Sequence, residues 1–515
     1  MAFGSRSNVY AFIKEVAEGV LQDPTAASFT VAREGANLTG AVNTTESDEL
    51  RNSIAASKAF VTSQAPTGTI PHYFKPSGTE GVAPDYGILV ESALGAVEEN
   101  STEYSTVSGS TAGDSTTRAN IAVADGDGAN IQLGQALLIK DGANGYAVRN
   151  VFSKDESGDP DLLASSFNFG TAPGSGLGLG KAQFYYPQNT AQPTYSAHMF
   201  QSSSSLSGLH QAIAGTRTTS MSIEFNAQDL AACNFEMAGI SYYKNPIRID
   251  ATNNLLDIVD DGGTIQATIA QKVYATPMAL AGEIAAKATA ASVGSGDDTI
   301  TCTWDNANGV FIIASDGATF QLPFATGAGS ANSIGATLGF TVADKTGATS
   351  YTAENAQTYG PAVTPVYDNQ GPNVVRDNVL LLGSFSDYMC VSGQSLTLSV
   401  ATPKTDVPDW CAESGIDESL ILSREVSITA TLKFKKHEVE GTNNLLNNIT
   451  SQLAFIHGQR DDARNWIPGS VVSVFCPSVS ITSNVVSDQD GYLVVTLEGT
   501  AIAEGELEDL YINFL

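Results

Sequence analysis

Basic residues run out before the chain does. Between Asn465 and Leu515 there is no lysine or arginine, yet seven acids remain: Asp488, Asp490, Glu498, Glu504, Glu506, Glu508 and Asp509. Over all 515 residues, 25 Lys and Arg stand against 55 Asp and Glu, a formal net charge of −30. A protein that grips nucleic acid meets each contacted phosphate with a lysine or arginine, so this balance excludes a wrapping role. The plainer effect of acid excess is solubility. Charge of both signs is scarce as well, at 16% of residues. That leaves a large uncharged surface for other copies of the chain to cover.

Cysteine is sparse. Cys233, Cys302, Cys390, Cys411 and Cys476 are scattered, odd in number and form no CxxC pair. They read as small buried apolar residues from a reducing compartment, not as a disulfide frame. The first residues, "MAFGSRSNVYAFIKEV", carry no apolar core or cleavage site of a secretory signal. No apolar run approaches the ~18 residues a membrane helix needs, so no membrane partner is expected.

What is abundant is turn chemistry, with 48 glycines among many Ser, Thr and Asn. Together with the length, this predicts two to four domains built from short strands. "GTRTTSMSIEF" alternates, with Met221, Ile223 and Phe225 on one face and Ser222 and Glu224 on the other. "SREVSITATLKF" does the same, placing Val426, Ile428, Ala430, Leu432 and Phe434 inward and Ser427, Thr429, Thr431 and Lys433 outward. "PDYGILVESALGAV" (84–97) predicts a short helix ended by Gly95. In "YATPMALAGEIAAKATAAS", Thr276 caps, Pro277 opens the helix, and Leu280, Ile284 and Ala288 recur every four residues. A hairpin follows, Ile300, Cys302 and Trp304 leading to a turn at Asp305–Gly309. "TNNLLNNITSQLAFIHGQ" reads as a long helix with Leu445, Leu446, Ile449, Leu453 and Ile456 on one side. The order is a β unit (1–250), an α+β insert (251–354) and a second β unit (355–515).

Motifs that carry chemistry are weak. "PGSGLGLGK" (173–181) has Ser175 where a phosphate loop needs glycine and Ala182 where it needs Ser or Thr. Gly393-Gln-Ser395-Leu-Thr397 lacks the second glycine of a nucleophile elbow. "ADGDGAN" (124–130) and "KDESGDPD" (154–161) offer carboxylates without the spacing of a calcium loop. His72, His198, His210, His437 and His457 show no ligand spacing. No catalytic, cofactor-binding or metal residue is assigned, and a non-enzyme is expected.

The ordered set "YAFIKEVAEGVLQDPT", "TESDELRNSIAASK", "TGTIPHYFKP", "PDYGILVESALG" and "GTRTTSMSIEFNAQDLAACNFEMAGI" resembles the tail tube proteins of long-tailed bacteriophages. Residues 355–515 look like the same unit again, ending in "LYINFL". The resemblance covers about 1–250 and 355–515; the insert departs from the simplest members. It implies a mainly β fold, β-barrel or sandwich-like tail tube units each with a flanking helix, plus a small α+β insert. It further implies a structural virion protein located in the tail and assembled in the host cytoplasm. Two units per chain imply homotrimeric rings stacked as a tube, whose open strand edges are satisfied by neighbouring subunits. Other tail proteins (tape measure, terminator, distal tail) become partners, and DNA passes through an acidic lumen without specific binding. The base-free last 51 residues (465–515) are the expected source of lumen acids. Another tail component, such as a distal or decoration protein, and an acidic β-rich adhesin or surface-layer protein are the competing readings.

Overall fold

The computed structural model describes residues 8–46, 59–188, 192–203, 206–260, 263–292, 299–317, 319–368, 370–412, 414–433, 449–489 and 491–515. In chain order the principal elements begin with β1 (Asn8–Lys14), β2 (Asn37–Thr39), β3 (Val42–Glu46), β4 (Ala59–Gln64) and β5 (Thr67–Tyr73). Next come α1 (Gly87–Leu94), β6 (Gly95–Asn100), β7 (Ala182–Pro187), β8 (Tyr195–Ser203), β9 (Leu206–Asn226), β10 (Ala232–Ala238) and β11 (Ser241–Lys244). The middle of the chain supplies α2 (Pro277–Ser292), β12 (Ile300–Asp305) and β13 (Val310–Ser315). Then follow β14 (Val379–Gly383), β15 (Gly393–Ala401), β16 (Lys404–Pro408), β17 (Ile416–Ile421) and β18 (Glu425–Lys433). The last four are β19 (Ser451–Arg460), β20 (Trp466–Gln489), β21 (Tyr492–Ile502) and β22 (Tyr511–Phe514).

The fold is mainly β, with one large, nearly closed sheet that draws strands from both ends of the chain. Its spine is an eight-strand antiparallel run in the order β2, β5, β10, β9, β15, β18, β21, β20. The junction is the pair β9–β15, where Met221 faces Val400 and Ile223 faces Leu398. Two long strands turn corners. The first half of β9 pairs β8 and β11, and its second half pairs β10 and β15. Likewise the first half of β20 pairs β19 and β22, and its second half pairs β21. Register shifts mark both corners, between Thr218 and Ser220 and between Ile481 and Ser483, as expected where a bulge bends a strand.

One face of the run is apolar and closes the core. Ile70, Met221, Ile223, Phe225, Phe235, Leu398, Val400, Ile428, Leu432 and Val495 are all buried there. Against it packs α1, which is buried nearly all round and stops where Gly95 takes φ +121° and returns its N–H to Glu91 O. Phe514 of β22 closes this core, with ring centroids 5.7 Å from Phe74 and from Tyr185 and 6.3 Å from Tyr86.

Two satellites hang on this frame. Residues 104–179 contribute a six-stranded sheet with its own core of Ile121, Val123, Leu137, Ile139, Val151 and Leu163. The other is the α+β segment, where α2 starts as expected: Ala279 N donates to Thr276 Oγ1 at 3.1 Å, and Leu280, Ile284 and Ala288 are buried. Its hairpin β12–β13 turns on Asp305, whose Oδ1 accepts Ala307 N at 2.8 Å.

The helix expected over 442–459 is corrected. From Ser451 to Arg460 the chain is β19, a strand between β14 and β20. Every residue from Ser451 to Gly458 is buried, so neither face is turned to solvent and the alternation that identifies a strand is absent. Leu445 and Leu446 lie outside the described residues. Alternation elsewhere held: β18 buries Val426, Ile428, Ala430 and Leu432 and exposes Ser427 and Thr429. Phe434 lies outside the described residues.

Candidate channel-facing surface and assembly edges

The second face of the eight-strand run is polar. Strand parity puts every side chain between two buried neighbours onto it, and the register aligns them in rows. In one row Glu224 lies opposite Thr397, Thr397 opposite Thr429, Thr429 opposite Glu498 and Glu498 opposite Ser483. In another, Thr69 meets Glu236, Glu236 meets Ser220, Ser220 meets Ala401 and Ala401 meets Glu425. Between them runs Pro71, Asn234, Ser222, Ser399, Ser427, Thr500 and Ser480. Glu224, Glu236, Glu425 and Glu498 are all exposed, and the strands of the run add one base to this face, Lys433. The result is a hydroxyl-rich wall studded with carboxylates. A single ammonium among these carboxylates is too sparse to match the phosphates of a duplex.

The ends of the run are open among the described residues. Past Ile481, β20 has β21 on one side and no strand on the other, and Val485 (55% exposed) and Val486 (49%) stand there. At the opposite end, β3 and β4 prolong the β2–β5 pair as a two-stranded arm, with Val42 and Val61 exposed. The arm is braced where Gln64 N donates to Ser414 O at 3.1 Å, beside the loop carrying Trp410, which is 98% exposed. Unpaired edges with exposed apolar side chains are templates for another chain.

The acids of the last 51 residues fall in several places. Only Glu498 joins the polar wall. Asp488 caps the β20–β21 turn by accepting Gly491 N at 3.2 Å, and Glu504 and Glu506 are exposed in the connection to β22. Glu508 and Asp509 pair with Arg424, at 3.5 Å and 3.1 Å. Asp490 lies outside the described residues. The terminal strand is not an open edge either. β22 is paired on one side by β7 and on the other by β20, and all four of its residues are buried.

No family model matches the chain, and no curated protein matches it. Among solved structures, a chain from the tail of an empty gene transfer agent particle of C6 symmetry is 18% identical, with a TM-score of 0.20. That match covers 26% of this chain and 95% of the other. A chain from the virion of a native gene transfer agent particle gives 18% identity and a TM-score of 0.19, covering 25% and 94%. Likeness at this level carries no functional inference.

The weak motifs resolve into structure. "PGSGLGLGK" runs into a short strand at Gly178–Leu179 with no helix behind it to receive a phosphate. Ser395 lies within β15 and faces Thr431 on the polar wall. Asp161, from the second acidic loop, accepts Gly126 N and Gly128 N at 2.9 and 3.0 Å, tying the two acidic loops together. No group of three metal-ligating side chains occurs among the described residues. Cys233, Cys302 and Cys476 are buried, whereas Cys411 is exposed.

His72, His198 and His457 are buried, and His210 is half-buried. His437 lies outside the described residues. His198 and His210 stack across the β8–β9 hairpin, with ring nitrogens 2.9 Å apart, a pairing that their spacing of twelve residues does not signal. Burial holds all four neutral, pushing His72 down to about 3 and His198 and His457 to about 4. His210 is lowered by burial and then by His198. Their unfolded value lies near 6.5. The unfolded chain therefore binds protons first, and the contribution of these residues is full above that value and shrinks as pH falls toward 4. Asp85 opposes them. Burial raises it to about 6, so its contribution is present at low pH and lost as pH rises toward 6. Burial also raises Glu15 and Asp368, which oppose in the same sense, so four imidazoles stand against three carboxyls at ~1.4 kcal/mol per unit. Calorimetry should show the thermal midpoint falling by roughly 5 °C between pH 7 and pH 5; a flat profile contradicts this balance.

Proposed function

We propose that this chain is a structural subunit of a bacteriophage tail, which closes side by side with further copies into rings stacked as a tail tube. The observation that carries the reading is the eight-strand run. It crosses both halves of the chain and turns one face to the core and a carboxylate-studded hydroxyl face to solvent. It also ends at both sides in edges left open among the described residues. The ordered sequence patterns that resemble tail tube proteins support the same reading.

Two units per chain, joined at β9–β15, suit a trimeric ring in which alternate units are covalently linked and the polar faces line a common bore. In such a bore the duplex meets negative charge on every side. DNA bears about one charge per ~1.7 Å of axis, so basic walls would hold it and acidic walls let it slide. The six-stranded satellite and the α+β segment lie away from the bore, since either would obstruct it. Tape measure, terminator and distal tail proteins are the further partners of this role, which involves no catalysis.

Light scattering and negative-stain microscopy of the purified full chain test the reading. Three-copy rings, or tubes built of them, are expected. A chain that stays solitary at every concentration contradicts it.

A further inference from the structure

We infer that the cavity where the α+β segment meets the large sheet binds an acidic saccharide. This site is independent of the assembly surface. It encloses about 480 Å³, within the range of small-molecule sites. Its walls come from three places. The β12–β13 turn contributes Trp304, Asn306 and Asn308; the end of β11 contributes Lys244 and Asn245; and the start of α2 faces Tyr359 from the chain beyond the segment.

The polar groups are oriented in advance. Trp304 Nε1 donates to Asn306 Oδ1 at 2.7 Å, so the Asn306 amide NH₂ is turned to another acceptor. His210 N donates to Asn245 Oδ1 at 2.8 Å, which fixes the Asn245 NH₂ in the same way. Asn308 Nδ2 is used on Asp305, which leaves its carbonyl oxygen as an acceptor. Each amide is thus locked by a partner whose donor or acceptor character is unambiguous.

Tyr359 backs the cavity with its ring, 6% exposed. One further feature points to a ligand. Positive potential gathers on one side, from the Lys244 ammonium and from the N-terminal end of the sixteen-residue helix α2. An aromatic wall suits the C–H face of a sugar ring. Amide donors and an acceptor suit its hydroxyls, and the cationic side suits a carboxylate or phosphate substituent.

Calorimetric titration of the full chain, followed in parallel by tryptophan fluorescence, tests this with a glucuronate-terminated oligosaccharide, its glucose-terminated counterpart, AMP and inorganic phosphate. The glucuronate probe should bind best. Trp304→Ala should weaken it about tenfold or more, the loss of one good contact. Lys244→Gln, at an exposed position that leaves folding intact, should remove the preference for glucuronate over glucose while glucose binding persists. Three results overturn the inference: no saccharide binding at millimolar concentration, AMP or phosphate binding as tightly as the saccharide, or binding indifferent to Lys244→Gln.

Discussion

With Val485→Lys and Val486→Lys together, the chain should fold normally and fail to form rings. Both valines sit on the open stretch of β20, and half of each side chain is already in water. Exposed substitutions of this kind change stability by about 0.5 kcal/mol or less. In a closed ring the same residues would be covered. Burying the remaining area of two valines contributes about 2 kcal/mol per contact, roughly thirtyfold in affinity, and an unpaired lysine buried there adds a penalty of its own. Every contact in the ring is weakened at once, so closure should be lost rather than reduced. Light scattering should report a monomer whose thermal midpoint matches the parent. Rings that persist would place the contact elsewhere.

The second large effect concerns DNA. Changing Glu224, Glu236, Glu425 and Glu498 to lysine replaces four carboxylates and one ammonium by five ammoniums on the polar face of the run. All four are exposed and flanked mostly by serine and threonine, and none forms an ion pair among the described residues. The parent should bind duplex DNA undetectably. The variant should bind it without sequence preference, with a slope of log K against log salt near −0.9 per phosphate neutralised, or about −4 per chain. Filter binding or fluorescence anisotropy across a salt series reads this directly. A variant as inert as the parent would show that these four positions do not form a surface DNA can lie along.

Much of the fold was written locally. The alternation in β18 and in the second half of β9, the Thr276–Pro277 start of α2 and the Asp305 turn are short-range signals, and each appears where its residues stand. β19 was not legible because a strand buried on both faces has no alternation, and Leu453 and Ile456 happen to lie three apart.

The wall itself was half legible. Parity in "SMSIEF" already turns Glu224 outward. That it shares a row with Glu498, 274 positions later, depends on strand order, which no local window contains. The surroundings of the terminal acids were not legible for the same reason. Glu508 and Asp509 lack a nearby base in sequence but meet Arg424 in space. Windowed charge counts see neighbours along the chain, whereas electrostatics acts between neighbours in the fold.

In the tube proposed above, the polar face of the eight-strand run lines the bore. A cryo-microscopy reconstruction of the assembled protein measures that directly. The prediction is that Glu224, Glu236, Glu425 and Glu498 point into the lumen and that β20 of one copy lies against the β2–β5 end of the next. Finding those four carboxylates on the outer surface, around a channel lined by other strands, would contradict it.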